Sequence, residues 1–293
     1  MEIRVLNYFL ATAQELNMTR AAEKLLVSQP ALSRQIADLE DELGVKLFER
    51  HPRHLVLTPA GQYLQEQARE IIALSNKTKE NLRSSAVISG DLTIGAGESA
   101  GMQRIMNIVS DIIKDYPTVK LHLFSGDYAT TEKRLNHGTL DFAVIMGDLP
   151  LTNYESLKLP EKDIWGALIP DDDPLKDKKF ITPKDLINRP ILNSAQAAER
   201  NLFQSWFGNY YKKIDFIGDF NLNYNGTLMV KNHAATMLCF DKLADTSPGS
   251  GILFKPLKPA VTSPITIIWK HETPLSPVAQ LFIDRVRASV SED

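Results

Sequence analysis

Cysteine is almost absent from this sequence, which contains one, Cys239, among 293 residues. A single cysteine cannot form an intramolecular disulfide bond, which excludes a disulfide-stapled secreted domain and fits a reducing compartment. Long apolar runs are also missing, since no stretch approaches the ~20 consecutive apolar residues that span a bilayer. The amino terminus lacks the apolar core and small-residue cleavage site of a secretory signal. These absences predict a soluble cytoplasmic protein that does not contact a membrane.

The sequence also lacks an excess of charge of one sign. Its formal net charge of −3 excludes a chain coated in positive charge, but it leaves room for a local basic surface that binds nucleic acid. Zinc-protease, phosphate-loop and clustered metal-ligand motifs are missing too, so we predict no metal and no cofactor. With 43% hydrophobic and 24% charged residues, the composition is ordinary for a globular chain, and 293 residues suggest two domains.

The first ninety residues read as helix with short breaks. Apolar residues at three- and four-residue spacing predict a first helix, and they are Val5, Leu6, Phe9, Leu10, Ala13 and Leu16. Asn17 ends this helix, and Thr19 is the predicted N-cap of a second helix. The predicted buried side of that second helix consists of Ala21, Ala22, Leu25 and Leu26. A third helix begins at the cap Ser28, with Pro30 in its first turn, and ends at Gly44.

Two short helices joined by a tight turn are what a helix-turn-helix requires. The third helix carries polar side chains outside its predicted core, and such side chains can hydrogen-bond to base edges in a major groove. A short hairpin follows, whose tip carries Arg50 and Arg53, and a basic wing of this kind contacts the phosphate backbone. On periodicity alone, a solvated three-helix bundle with a charged loop explains the segment equally well.

The identities of the residues distinguish these two interpretations. Residues 19–25 (TRAAEKL), 27–36 (VSQPALSRQI), 39–50 (LEDELGVKLFER) and 57–61 (LTPAG) closely resemble the winged helix-turn-helix of the LysR-type transcriptional regulators. The resemblance implies sequence-specific binding to a double-stranded DNA operator by a regulator that is not an enzyme, with RNA polymerase as a further candidate partner. The predicted DNA-binding residues are Thr19, Arg20, Ser28, Gln29, Pro30, Ser33, Arg34, Gln35, Arg50 and Arg53.

A long helix is predicted from the cap Thr58 and the first-turn Pro59 to about residue 86. Alternating four- and three-residue steps give it the seam of a coiled coil, formed by Leu64, Ala68, Ile71, Ser75, Thr78 and Leu82. An ordinary surface helix is the alternative. The resemblance implies a dimerisation helix here, and therefore a homodimer or a homotetramer, with a hinge over residues 84–90.

After Gly90, strands alternate with helices, which predicts a mostly parallel sheet covered by helices. The predicted strands cover residues 92–95, 119–124, 140–145, 164–169, 191–192, 216–217, 237–240 and 265–269. The predicted helices cover residues 102–115, 129–137, 183–188, 198–212, 227–233 and 277–290.

This arrangement resembles the LysR-type effector domain, a two-subdomain α/β fold similar to that of periplasmic solute-binding proteins. Crossing strands near 146–164 and near 264 would join the subdomains. We therefore predict a winged helix-turn-helix over 1–58, a linker helix and hinge over 59–89, and an effector-binding domain over 90–293. Within it, subdomain I takes 90–162 and 265–293, and subdomain II takes 163–264.

Ligands of open α/β sheets bind at the carboxyl ends of strands, so we expect a small-molecule effector in the cleft between the subdomains. The predicted effector-binding residues are Ser99, Ala100, Ser125, Gly126, Tyr128, Asn193, Ser194, Asn225 and Thr227. By resemblance the position of Ser99 contacts effector, and capping of its own helix is the alternative. The neighbouring Glu98 would repel an anion, which predicts an effector that carries an amine or hydroxyl donor rather than a simple inorganic anion.

Residues 97–101 also match G-x-S-x-G between a strand and a helix, the context of a serine-hydrolase nucleophile. That chemistry needs a base histidine and an oxyanion loop from an earlier strand, and only helices lie upstream. An enzyme fused to a DNA-binding head and a DNA binder without an effector are therefore the alternatives to a ligand-responsive regulator. Cys239 lies in an apolar run and is predicted to be a buried small hydrophobe.

Overall fold

The structure is a computed structural model that describes residues 1–51, 54–83, 88–271 and 274–291. The chain divides into two compact units, Met1–Arg83 and Ser84–Asp293. The predicted domain boundaries at residues 58 and 89 and the predicted subdomain limits stay predictions.

The first unit contains the predicted helices and the predicted hairpin. Its elements are α1 (Ile3–Glu15), α2 (Met18–Leu25), α3 (Gln29–Leu43), β1 (Phe48–Arg50), β2 (Leu55–Leu57) and α4 (Pro59–Arg83). β1 and β2 pair antiparallel, as expected for a wing. A single apolar core joins α1 to α4, with Leu6, Phe9, Leu32, Ile36 and Leu39 almost completely buried.

The caps of these helices were predicted correctly in two places and wrongly in one. The Ser28 hydroxyl accepts from the backbone N–H of Ala31 at 3.4 Å, and the Thr58 hydroxyl accepts from that of Gly61 at 2.9 Å. The N-cap of α2, however, is Asn17 rather than Thr19. Its side-chain oxygen accepts from the backbone N–H of Thr19 at 2.9 Å and of Arg20 at 3.1 Å. Because α2 already begins at Met18, the extended residue before it is the one placed to cap.

Leu26 was predicted to be buried, and it is 93% exposed. α2 ends at Leu25, and Leu26 takes the left-handed conformation with φ of 55°. This conformation turns its side chain away from the core that Ala21 and Ala22 enter.

The residues of the predicted coiled-coil seam of α4 differ in burial. Its first two positions, Leu64 and Ala68, are buried in the core of the first unit and so pack within the chain. Ile71 and Ser75 are half-buried and Thr78 is exposed. The side chain of Leu82 lies outside the described residues.

The second unit alternates strands and helices. Its strands are β3 (Gly90–Ala96), β4 (Val119–Ser125), β5 (Phe142–Met146), β6 (Tyr154–Pro170), β7 (Pro190–Ser194), β8 (Asp215–Phe220), β9 (Thr236–Phe240), β10 (Ile252–Pro256) and β11 (Thr262–Lys270). Its helices are α5 (Met102–Asp115), α6 (Tyr128–Asn136), α7 (Ala195–Glu199), α8 (Leu202–Phe207), α9 (Asn223–Lys231) and α10 (Pro277–Ser291), with 3₁₀ turns at Pro183–Leu186 and Gly208–Lys213.

The strands form one sheet in the order β4-β3-β5-β11-β6-β9-β7-β8, with β10 also on β6. β3 is parallel to β4 and β5, and β7 is parallel to β8 and β9. We call β3, β4 and β5 with α5, α6 and α10 the first lobe. We call β7 to β10 with α7, α8 and α9 the second lobe.

β6 runs through both lobes without a break. Its residues 154–164 pair with β11, and residues 165–168 pair with β9 in the second lobe. The predicted crossing segment and the predicted strand 164–169 are therefore one strand. The single helix predicted over 198–212 is instead α7, α8 and a 3₁₀ turn, because Asn201 and Gly208 take positive φ values of 52° and 51°. β10 was not predicted.

Candidate DNA-contact surface and effector cleft

The candidate DNA-contact surface is formed by the amino-terminal half of α3. Leu32 and Ile36 anchor this helix in the core, with 0% and 1% of their surfaces exposed. Gln29, Pro30 and Arg34 consequently lie on the outer face and are exposed. Because α3 begins at its cap Ser28, these side chains cluster at the end of the helix that enters a major groove in helix-turn-helix proteins.

The other predicted DNA-contact residues differ in exposure. Ser33 and Gln35 on α3 are half-buried, whereas Ser28, Thr19 and Arg20 are exposed. Arg20 also donates from its guanidinium to the Glu15 carbonyl at 3.1 Å. The side chain of Arg50 and all of Arg53 lie outside the described residues.

Glu40 ties the wing to α3, and its role was not predicted from the sequence. Its carboxylate accepts from the backbone N–H groups of Leu47 at 2.8 Å and Phe48 at 3.2 Å, and it pairs with Lys46 at 2.9 Å. Burial raises the pKa of Glu40, but the hydrogen bonds from Lys46, Leu47 and Phe48 outweigh burial and lower it. The signal was present, because Glu40 follows Ile36 by four residues and so shares its buried face.

A cavity of about 240 Å³ lies between the two lobes of the second unit. Trp165, Phe220 and Phe240 contribute aromatic walls, and Glu98 and Arg200 contribute opposite charges. The cavity is smaller than the pockets of roughly 300 Å³ and above that hold drug-sized ligands. Its size therefore suits a compact molecule.

The structure brings few of the predicted effector-binding residues into this cavity. Ser194 lines it. Gly126 and Tyr128 line a smaller neighbouring pocket that shares Gly97 and Met146 with the cavity.

The remaining predicted effector-binding residues lie elsewhere. Ala100 lines a groove beside α5, and Asn193 lines a separate pocket of the second lobe with α7 and α8. Ser125 and Asn225 are exposed, whereas Thr227 is buried and donates to the Asn223 carbonyl at 3.0 Å. Ser125, Asn225 and Thr227 line neither the cavity nor the three other pockets just described.

Ser99 is buried beside the cavity. Its hydroxyl donates to the Asp163 carboxylate at 2.8 Å and accepts from the Gly101 N–H at 3.0 Å. Desolvation raises the pKa of Asp163 to about 6, against the opposing effect of the Ser99 hydrogen bond. The Ser99 hydroxyl is thus bonded to a carboxylate and not to a base histidine, which does not fit a serine-hydrolase nucleophile.

Among the described residues, two contacts with three hydrogen bonds between them cross the cleft. The Glu98 carboxylate accepts from the backbone N–H of Asn223 at 2.6 Å and from its Nδ2 at 3.1 Å, so it occupies the amino terminus of α9. From the other lobe, the Arg200 guanidinium donates to the Met146 carbonyl at 3.0 Å. Neither contact was predicted from the sequence, because its partners are far apart in the chain.

Cys239 also lines the cavity and is buried, as predicted. Desolvation, with a smaller contribution from Asp241, raises the pKa of its thiol to about 12. The thiol is therefore protonated at neutral pH and is a poor nucleophile.

Neither a metal-binding cluster nor a membrane-spanning helix is present among the described residues. No group of three or more His, Cys, Asp or Glu side chains in the described ranges is arranged to hold a metal ion. Among the described helices, none combines the length and the apolar character needed to cross a membrane.

Comparison with known proteins gave matches over both units. Residues 3–62 match the model of the bacterial regulatory helix-turn-helix proteins of the lysR family, and residues 85–291 match the LysR substrate binding domain. The regulator AlsR of Bacillus subtilis (strain 168) is 31% identical over 207 residues, which cover 70% of this chain and 68% of AlsR. The Hca operon transcriptional activator HcaR of Escherichia coli (strain K12) is 35% identical over 188 residues, which cover 64% of this chain and 62% of HcaR.

Solved structures show the same fold. CbnR, a LysR family transcriptional regulator, superposes with a TM-score of 0.78 at 22% identity, covering 99% of both chains. Full-length CbnR complexed with its target DNA gives a TM-score of 0.77 at 23% identity, covering 99% of this chain and 100% of that one. The family and these relatives are transcriptional regulators and not enzymes, which overturns the hydrolase alternative.

Proposed function

This chain belongs to the LysR family of bacterial regulatory helix-turn-helix proteins and is a DNA-binding transcriptional regulator, and we propose that a small molecule held between its lobes sets how it binds its operator. The exposed polar edge of α3, seated on Leu32 and Ile36, is the observation that carries the DNA-binding half of this proposal. The cavity between the lobes carries the effector half.

The protein would act as a homodimer or homotetramer on an operator with two-fold symmetry. Two recognition helices related by a dimer axis fit half-sites about one helical turn apart. RNA polymerase is the candidate partner for the regulatory output, and the cytoplasm, where bacterial DNA lies, is the proposed location.

The proposed mechanism is a shift between two states of the second unit. An effector that contacts both lobes binds one relative placement of them more tightly than another. It can change operator binding only by that difference in affinity. The cross-cleft bonds of Glu98 and Arg200 are the contacts that such a ligand would strengthen or replace.

Substitution of Arg34 tests the DNA-contact surface. We expect Arg34→Ala to weaken binding to the operator by about 10- to 100-fold, because one bidentate base contact contributes roughly 1–3 kcal/mol of discrimination. Arg53→Ala should instead weaken binding to every duplex, since a phosphate contact reads no sequence. The measurement is fluorescence anisotropy with an operator selected from random oligonucleotides and with a scrambled duplex.

Arg4→Ala is the matched control, because Arg4 is also exposed but lies on α1. It should leave both affinities within about twofold. Equal losses on the two duplexes for Arg34→Ala would refute the assignment of base reading to α3, and a selection that returns no preferred sequence would refute the DNA-binding proposal.

A further inference from the structure

Arg200 lies in the wall of the effector cavity, where neighbouring residues position its guanidinium. Its Nη1 donates to the Met146 carbonyl at 3.0 Å, and its guanidinium lies 5.7 Å from the centre of the Tyr128 ring. Gly147, with φ of +101°, leaves room for it, because a Cβ there would lie 2.9 Å from Nη1. Among the described residues, no carboxylate lies within 4 Å of this half-buried cation. A guanidinium held in this way offers its remaining N–H donors to an anion in the cavity.

Asn223 also lines this cavity, and it offers a hydrogen-bond acceptor, whereas Arg200 offers donors. Asn223 is 8% exposed, and its side-chain Oδ1 has no hydrogen-bond partner among the described residues. The orientation of the amide is set by Glu98, which accepts from Nδ2 and therefore leaves Oδ1 as the free acceptor. Because an unpaired buried acceptor is costly, a ligand N–H or O–H group that reaches this oxygen would stabilise the bound state.

Glu98 restricts where a ligand anion can bind. The amino terminus of α9 would attract an anion, but the Glu98 carboxylate already occupies it. Asp148 is a second carboxylate in the cavity lining, and it is exposed. A ligand anion is consequently repelled from these carboxylates and directed to Arg200, the cation of the described lining.

Three aromatic side chains contribute flat walls to the cavity beside these polar groups. Trp165, Phe220 and Phe240 line it, and the Trp165 and Phe240 rings lie 4.3 Å apart. Aromatic walls favour a planar apolar body, which packs on them in stacked or edge-on contacts.

We propose that the effector is a compact aromatic carboxylate with a separate hydroxyl or amine donor. Arg200 binds the carboxylate, Asn223 Oδ1 accepts from the donor, and the ring lies among Trp165, Phe220 and Phe240. This inference rests on the proposed function, since it assigns the chemical class of the molecule that the cleft senses. It also refines the expectation from Glu98, because the donor and the anion of one ligand are bound at different walls.

The first test uses the unaltered full-length chain and probes that differ at one end. Isothermal calorimetry would compare 3-hydroxybenzoate with benzoate, which lacks the donor, and with 3-hydroxybenzamide, which lacks the charge. The same pairs in the 4-substituted and phenylacetate series cover other spacings. We expect the hydroxy acids to bind tightest, with the amides weaker by about tenfold or more, because hydrogen bonds to charged groups contribute roughly twice as much as neutral ones.

The second test changes Arg200. Arg200→Gln should weaken binding of the acids by about 10- to 100-fold, and Arg200→Lys should weaken it less, since it keeps the charge but loses the planar fork. Arg134→Gln is the matched control, because Arg134 is exposed over the Phe124 ring and outside the cavity lining, and it should bind the acids as the parent does. The probe series needs no variant, so it remains decisive if Arg200→Gln fails to fold.

The outcomes separate this inference from the function on which it rests. Failure of every acid to bind at millimolar concentration, amides binding as tightly as acids, or an Arg200→Gln variant that retains full affinity would each overturn the carboxylate class. A neutral molecule that binds the cleft and changes operator affinity would overturn the class but support the function. Acids that bind through Arg200 and leave operator affinity unchanged would support the class and overturn the function.

Discussion

At the scale of one residue, Asp163 shows that folding can bury a charged group at a cost in stability. It lies on β6, is 4% exposed, and accepts one hydrogen bond from Ser99 on Oδ1, while Oδ2 has no partner in the described part of the chain. Burial without full compensation favours the protonated form and raises the pKa from 3.8 to about 6. At neutral pH the protein therefore keeps an ionised carboxylate buried at the boundary between the lobes.

The pH dependence of stability should reveal this residue. Because the folded pKa lies above the unfolded one, Asp163 favours the folded state fully below pH 3.8, and this contribution is lost as pH rises through about 6. We expect Asp163→Asn, compared with the parent, to raise the melting temperature above that pH and to have a smaller effect below it. Thermal melts of both proteins across this window measure the difference and cancel the titration of other groups. A difference independent of pH would contradict the assignment.

At the scale of an element, the start of α2 depends on one side chain. Asn17 satisfies two backbone donors that the helix itself cannot pair, those of Thr19 and Arg20. α2 is short, at 8 residues, so it has few internal hydrogen bonds with which to compensate for a lost cap. The helix that precedes α3 therefore depends on this cap and on the buried Ala21 and Ala22.

Removal of the cap should loosen α2. Asn17→Ala should cost about 1 kcal/mol and speed amide exchange at Thr19 and Arg20 by about fivefold, whereas Asn17→Asp keeps the acceptor and should preserve protection. Hydrogen exchange followed by mass spectrometry or NMR measures both. Equal exchange in the Ala and Asp variants would show that the cap does not stabilise this helix.

At the scale of the molecule, hydrogen bonds within the second unit connect its two lobes across the cleft. Glu98 from the first lobe accepts two hydrogen bonds at the start of α9, and Arg200 from the second lobe donates to Met146. Both connect lobes that are otherwise joined through β6 and its neighbours in the sheet. In the proposed mechanism, the balance between a closed and an opened cleft depends on these polar contacts, which an effector would strengthen or replace.

Removal of the Glu98 carboxylate should shift that balance. Glu98→Ala should accelerate amide exchange at the start of α9 by about 10- to 100-fold, because each hydrogen bond to a charged group contributes roughly 1.5–3 kcal/mol. Asp148→Asn is the matched control, since Asp148 also lines the cavity and no cross-cleft bond joins it to the described residues. Glu98→Ala and Asp148→Asn variants with the same exchange pattern would rule out Glu98 as a contact that holds the lobes together.

What the sequence determined by itself was local. The predicted helix over 102–115 coincides with α5, and the caps Ser28 and Thr58 and the terminator Gly44 were correct, because capping and periodicity depend on neighbours within one or two turns. The motifs that resemble LysR-type regulators identified the fold and the family, and both were confirmed. Even here the cap of α2 is Asn17, two residues before the predicted Thr19.

Only the tertiary structure decided which polar groups meet in the cleft. Glu98 and Asn223 are 125 positions apart, Ser99 and Asp163 are 64 apart, and Met146 and Arg200 are 54 apart. Their contacts depend on the order of strands in the sheet and on the passage of β6 between the lobes, which bring distant segments together. Propensities act along the chain, whereas a binding cavity is formed by side chains that converge in space.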